Sequence, residues 1–369
     1  MKYIPLFILL LLAVGCSRAP KSVRVDSGLA EQIFTPVISV QESGDLYCQW
    51  TEFHHDSIGG AGAMWIPDSL TFGKPDLYEF ISRRWVQCIP DLRRFHFANH
   101  HTATFVAHSC IQESYILSRD EEGDREGAWV TAPAVLSYPV EVDSLFAIFY
   151  ESPLQHGLIT VWMDRLGREL SRDTLSIASP DFAAAGGAGV VFVKADDDSF
   201  HVYTMARLCS YVDSTTVARS YPATQQIGTD YFVSGGDLFI VAGYRKPESK
   251  ELEIETHVLN GTKRESEHTA AAKRESLGEY IAFRSIASGA QFPYLLALSD
   301  DGEHMQLLVL GVDDDGYWSR ISQRADVSST IQEFSATKFG DKIFAAYTAA
   351  SSDTAAAADA CYCVQFKLE

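Results

Sequence analysis

Residues 231–245 read Tyr-Phe-Val-Ser-Gly-Gly-Asp-Leu-Phe-Ile-Val-Ala-Gly-Tyr-Arg. An apolar run at Tyr231–Val233, a Ser-Gly-Gly-Asp turn and a second run at Leu238–Arg245 make a hairpin pattern, because Gly and Asp supply the positive φ a tight turn needs. The second run mixes aromatic and small residues. Six further segments share its character: Tyr47–Glu52, Ala103–Ser109, Leu145–Glu151, Phe200–Arg207, Tyr294–Ser299 and Ile343–Ala349, spaced on average about 49 residues apart. A period of about 40–50 residues carrying several strands is the pattern of propeller blades.

The flanks agree. Ahead of most of these strands stands another extended run and a turn, as at Val37–Val40, Val190–Val193 and Ser335–Phe339. After most comes a third strand and a looser fourth, as at Ile159–Met163 and Leu252–Leu259. Tyr115–Leu117 with its acidic turn aligns with Leu307–Leu310 and its own, which places Trp129 and Trp318 at equivalent points. No stretch holds a 3.6-residue apolar period between helix caps, so the chain reads as all-β. The expected fold is a seven-bladed β-propeller of four-stranded antiparallel blades over residues 36–369. A lone blade has two apolar faces and can bury neither, whereas a ring hides both. The last strand ends at the C-terminus, so residues 22–35 are expected to supply the outer strand of the last blade. A pair of β-sandwiches or an eight-bladed ring would also fit the spacing.

The chain has 369 residues, 46% hydrophobic and 21% charged, with 30 basic and 49 acidic side chains and a net charge of −19. It can bury a large core. Its acidity argues against nucleic acid as a partner, because neutralising phosphates takes clustered Lys and Arg.

The N-terminus reads MKYIPLFILLLLAVGC. Lys2 precedes an apolar run too short to remain as a spanning helix, followed by small residues, which is the form of a secretory signal peptide. Ala13-Val14-Gly15-Cys16 resembles the lipobox of bacterial lipoproteins. Leu12 and Gly15 fit that pattern, and Ala13 is a tolerated variant at its first position. The resemblance implies cleavage after residue 15 and acylation of Cys16, which anchors the protein in a membrane through lipid chains. Ser17 in place of Asp favours the outer membrane of the cell envelope. Residues 16–35 then form a lipidated tether. The other cysteines, Cys48, Cys88, Cys110, Cys209, Cys361 and Cys363, permit up to three disulfides in an exported chain or a set of buried free thiols. Cys361 and Cys363 share one face of a strand and do not suit a bond to each other.

Blade topology assigns loops to rims. Turns between first and second strands, and between third and fourth, share one rim, where the expectation gathers Glu42, Asp45, Asp120–Glu122, Asp124, Asp143, Asp196–Asp198, Asp237, Asp313–Asp315 and Asp341. The other rim holds the loops between second and third strands: His54, His55 and Asp56, then His156, then Arg245 and Lys246, then Asp301 and His304. Its mixed charge suits a protein or glycan partner.

Catalytic and cofactor patterns are missing. HExxH, CxxC, GxSxG, P-loop and Rossmann fingerprints do not occur, and Gly186–Gly189 follows an Ala run rather than a strand. The histidines at 54–55, 96, 100–101 and 108 do not have metal-ligand spacing. No cofactor or metal is expected. The aromatic strand after a Gly-Asp turn, together with Asp314-Asp315-Gly316-Tyr317-Trp318, resembles the sialidase-like and Asp-box propeller superfamily. That superfamily's box, S-x-D-x-G-x-x-W, is not satisfied: Trp318 stands one residue early and the Ser is missing. Of its arginine motif only Arg284, in Phe283-Arg284-Ser285-Ile286, could be carried over. The expected function is therefore a non-enzymatic, lipid-anchored propeller that binds a protein or glycan. The alternative is a glycan-active hydrolase or lyase on the same ring.

Overall fold

A computed structural model describes residues 20–368 apart from 42, 83–90, 97–101, 109–112, 120–124, 132–137, 143–144, 153–154, 165–167, 178–179, 187–188, 210, 247–251, 273–278, 290–291, 301–303, 328–330 and 350–358. The signal segment and Cys16, Cys88, Cys110 and Asp301 lie outside the described residues.

The described residues form seven antiparallel sheets. The first contains Gln32–Val40, Leu46–Phe53, Ser57–Ile66 and Asp76–Ser82, with Thr71–Phe72 as an extra pair on its third strand. The second contains Asp91–His96, Thr102–His108, Glu113–Arg119 and Arg125–Thr131. The third contains Tyr138–Val142, Leu145–Ser152, Gln155–Met163 and Glu169–Leu175, and the fourth Phe182–Gly186, Gly189–Ala195, Ser199–Ala206 and Val212–Ala218. The fifth contains Gln226–Ser234, Asp237–Arg245, Leu252–Asn260 and Lys263–Ala271. The sixth contains Glu279–Ile286, Tyr294–Asp300, Met305–Val312 and Trp318–Arg320, with Ala325–Val327 beside its third strand. The seventh contains Ile331–Phe339, Lys342–Ala349 and Ala360–Lys367, and its fourth strand is Val23–Arg24 from the other end of the chain.

The core lies in the seams between sheets. Leu238, Ile240, Ala242 and Tyr244 pack with Val191, Val193, Phe200 and Val202 of the fourth sheet. Their neighbour Val241 faces the other way, into a cluster with Phe283, Leu295 and Leu308 of the sixth. Alternation along one strand thus serves two seams, which explains why the second strands read as unbroken apolar runs. Outer strands are different: Lys263–Ala271 is largely exposed along its length. Between the third and fourth sheets Phe149 meets Phe192 edge to face, with centroids 4.6 Å apart and planes at 90°. Trp162 is fully buried in the same seam. The seventh and first sheets are joined by a cluster containing Phe344, Ala346, Cys361, Cys363, Cys48 and Trp50. The fold is a β-propeller.

The chain closes through its N-terminal segment. Val23 and Arg24 pair with Cys363 and Tyr362. Val25 N donates to the Cys361 carbonyl at 2.9 Å, and Cys361 N donates to Asp26 Oδ2 at 2.9 Å. Inner strands are bridged by side chains. Thr35 N donates to Glu333 Oε2 (2.5 Å), Ile38 N to Ser335 Oγ (3.0 Å) and Ser285 N to Asp230 Oδ2 (2.5 Å). Each contact gives an unpaired edge amide of an inner strand an acceptor on the neighbouring sheet.

Three expectations need correcting. Phe200–Arg207 was expected as a second strand, yet Ser199–Ala206 is the third strand of its sheet. The second is Gly189–Ala195, whose buried Val190–Val193 run had been expected to precede Ser199–Ala206 as a first strand. The residues before Gly186–Gly189 do form a strand, Phe182–Gly186. Trp129 and Trp318 are not equivalent: Trp318 opens its strand opposite Val312, whereas Trp129 stands opposite Tyr115. The Asp-Gly-x-Trp turn nevertheless does clear structural work. Asp313 Oδ1 accepts the amides of Asp315 (3.1 Å) and Tyr317 (3.0 Å), Gly316 takes φ +83°, and Trp318 is fully buried.

Candidate binding face between the fourth and fifth sheets

The loops between second and third strands share a rim with the connections from one sheet to the next. Correcting the fourth sheet moves Asp196–Asp198 onto this rim, between Gly189–Ala195 and Ser199–Ala206. The acidic turns therefore do not collect on one side, and the face expected to bind a ligand carries carboxylates of its own. Asp237, Asp313–Asp315 and Asp341 do lie at turns of the opposite rim.

A cleft of about 860 Å³ opens here between the fourth and fifth sheets. Asp196, Asp197, Asp198, Lys194, Arg219 and Gln226 line it. Its walls are tied by backbone bonds: Arg219 N donates to the Asp198 carbonyl (2.9 Å) and Ala223 N to the Asp197 carbonyl (3.1 Å). Asp196 Oδ2 lies 2.8 Å from His201 Nε2, and Lys194 Nζ lies 3.0 Å from Asp181 Oδ1. Arg219 donates to Gln226 Oε1 at 2.5 Å and stacks 4.3 Å over the Phe200 ring. Asp197 is exposed.

Behind the cleft stands a buried polar group. Glu255 and His257 lie on one face of the fifth sheet's third strand and are both fully enclosed. His257 Nε2 is 2.7 Å from Glu255 Oε1. The Ser220 amide donates to both Glu255 oxygens (3.1 and 3.2 Å), and the Ser220 hydroxyl donates at 2.9 Å. Burial pushes the Glu255 carboxyl up, but His257 and the Ser220 donors outweigh it and hold it below the ordinary carboxylate value. Tyr244 is pushed up by burial and by Glu255. Glu267, opposite His257 on the outer strand, completes a set of three ligand atoms within 4.8 Å of one another. Two carboxylates and an imidazole could hold a divalent cation such as zinc. The expectation of no metal-ligating set overlooked them. The signal was an alternating Glu-x-His on a strand with an acid facing it across the ladder.

The sequence-expected residues that are described fall at this rim on separate sheets. His54, His55 and Asp56 occupy the turn of the first sheet. His54 Nε2 lies 3.1 Å from Oε2 of the fully buried Glu52, whose Oε1 accepts from Trp50 Nε1 at 2.8 Å. His55 and Asp56 are exposed. Arg245 and Lys246 edge the fifth sheet: Arg245 donates to the Tyr280 carbonyl (2.9 Å), and Lys246 pairs with Glu253 (2.6 Å), which also accepts from the Tyr221 hydroxyl (2.8 Å). His304 is exposed at the sixth sheet, and His156 lies in the strand Gln155–Met163 of the third. Tyr221 and Ser220 belong to one connecting segment, so Lys246 and the Glu255 group flank the same seam.

No family model and no curated protein matches the sequence. Solved structures do match. A virginiamycin B lyase from Staphylococcus aureus, in a catalytically inactive form with quinupristin, is similar at 10% identity and TM-score 0.50, covering 95% of this chain and 99% of that one. A prolyl endopeptidase is similar at 13% identity and TM-score 0.54, covering 89% of this chain and 46% of that one. NanB sialidase from Streptococcus pneumoniae aligns at 9% identity and TM-score 0.48, covering 98% of this chain and 73% of that one. At these identities the likeness to the first two shows the fold alone.

Proposed function

We propose that this protein is a lipid-anchored propeller of the bacterial cell envelope, held in the outer membrane through Cys16, that binds a protein or glycan partner without transforming it. The observation that carries the reading is the cleft between the fourth and fifth sheets, where carboxylates and cations line a rim braced by backbone hydrogen bonds. A volume near 860 Å³ falls in the range of ligand pockets, roughly 300–1,000 Å³. Polar residues of both signs suit a hydroxyl-rich or peptide ligand. The inner-strand carboxylates Asp230 and Glu333 each accept a backbone amide of the neighbouring sheet. Arg284 lies over the Phe334 ring at 5.3 Å and donates to the Phe334 carbonyl.

The test compares Asp197→Lys, in the cleft, with Asp341→Lys on the opposite rim, using a glycan array and pull-down from envelope extracts. The expected result is a partner retained by the wild type and Asp341→Lys and lost at least tenfold with Asp197→Lys. Equal retention by both variants would overturn the site, and turnover of a bound glycan would overturn the non-enzymatic reading. Fractionation of Cys16→Ala tests the anchor: the variant should leave the membrane fraction.

A further inference from the structure

The seam that closes the ring holds three thiols. Cys48 stands in the second strand of the first sheet, and Cys361 and Cys363 in the third strand of the seventh. All three are fully buried or nearly so in one apolar cluster with Ala61, Ala63 and Ala346. Cys363 Sγ is 3.4 Å from Cys48 Sγ, across the interface between the two ends of the chain. Cys361 lies on the same strand face, two residues away, and its thiol also donates to Cys48. Burial raises all three thiols, but these two donors leave Cys48 below its ordinary pKa while Cys361 and Cys363 stay above theirs.

We propose that Cys48 forms a disulfide with Cys363, with Cys361 as its alternative partner, so that a covalent bond joins the first and last sheets. Bringing sulfurs from 3.4 Å to a bond of about 2.05 Å takes a small side-chain adjustment. Cys361 and Cys363, side by side on one strand, cannot bond each other. The oxidant is a small or protein disulfide. The Cys48 thiolate attacks it and expels one thiolate, giving a mixed disulfide. The Cys363 thiolate then attacks the Cys48 sulfur and expels the second. Two protein thiols lose two electrons and two protons, and the oxidant becomes two thiols. Enclosure of the sulfurs places this exchange before the seam closes. The bond then rests on an oxidising compartment, which the export reading supplies.

The test uses the full chain, refolded in oxidised and reduced glutathione and mapped by mass spectrometry after alkylation. It does not depend on acylation of Cys16. The wild type and Cys361→Ser should yield a Cys48–Cys363 peptide, and Cys363→Ser a Cys48–Cys361 peptide. Cys48→Ser should yield neither, and no bond between Cys361 and Cys363. Reduction should lower the melting temperature of the wild type and leave the contribution of this seam unchanged in Cys48→Ser. A wild-type Cys48 recovered fully alkylated, or a Cys361–Cys363 bond in Cys48→Ser, would overturn the proposal.

Discussion

If stability resides in the seams, coupling between side chains should follow ring adjacency rather than distance along the chain. The Phe149–Phe192 contact tests this, since each ring belongs to the second strand of its own sheet. Replacing either by Leu keeps most of the volume and should cost less than about 1.5 kcal/mol; Ala at either site should cost about 3–5 kcal/mol through the cavity left behind. The edge-to-face geometry should appear as a coupling of about 0.5–1.5 kcal/mol in a Phe149→Leu, Phe192→Leu double-mutant cycle. A control cycle pairs Phe149→Leu with Phe344→Leu, a buried ring in the seam between the seventh and first sheets. That pair should be additive within about 0.3–0.5 kcal/mol. Urea unfolding followed by tryptophan fluorescence, to which Trp162 of the same seam contributes, and by far-UV circular dichroism gives the values, provided the two transitions coincide. Equal coupling in the two cycles would refute the idea that neighbouring sheets stabilise each other through these faces.

Two further outcomes follow from local geometry. Glu255 is held below its ordinary value near 4.3, so its ionised form contributes stability above that pH, lost as pH falls through the depressed folded value; Glu255→Gln should flatten this acid limb of a melting-temperature profile. At Gly189 an added Cβ would meet the Met205 carbonyl at 1.9 Å, backbone that cannot turn aside, so Gly189→Ala should destabilise by about 1–3 kcal/mol in the same urea assay.

Much of the fold was legible because a sheet covered on both faces writes an unbroken apolar run. Six of the seven expected second strands are second strands. The fourth failed for a physical reason: Phe200, Val202 and Met205 are buried while His201, Tyr203 and Thr204 are partly exposed, a third strand whose aromatics imitate the repeat. The true second strand follows Phe182–Gly186, a strand of small residues that reads as a loop. That one-strand slip moved Asp196–Asp198 to the wrong rim and hid the cleft. The closing strand was legible in part: of residues 22–35, Val23–Arg24 pairs with the last sheet, whereas residues 32–35 begin the first strand of the first sheet. The Glu255 group was not: it takes Ser220 from a connecting loop and Glu267 from the outer strand, and only folding brings the three together.

Closure of the ring by the N-terminal segment can be probed by hydrogen exchange on a variant lacking residues 17–30. The bonds from Val25 to Cys361 and from Cys361 to Asp26 disappear with that segment. Amides of Ala360–Lys367 should exchange faster in the truncated chain while those of Asp237–Arg245, far round the ring, keep their protection. Unchanged protection at Ala360–Lys367 would contradict that closure.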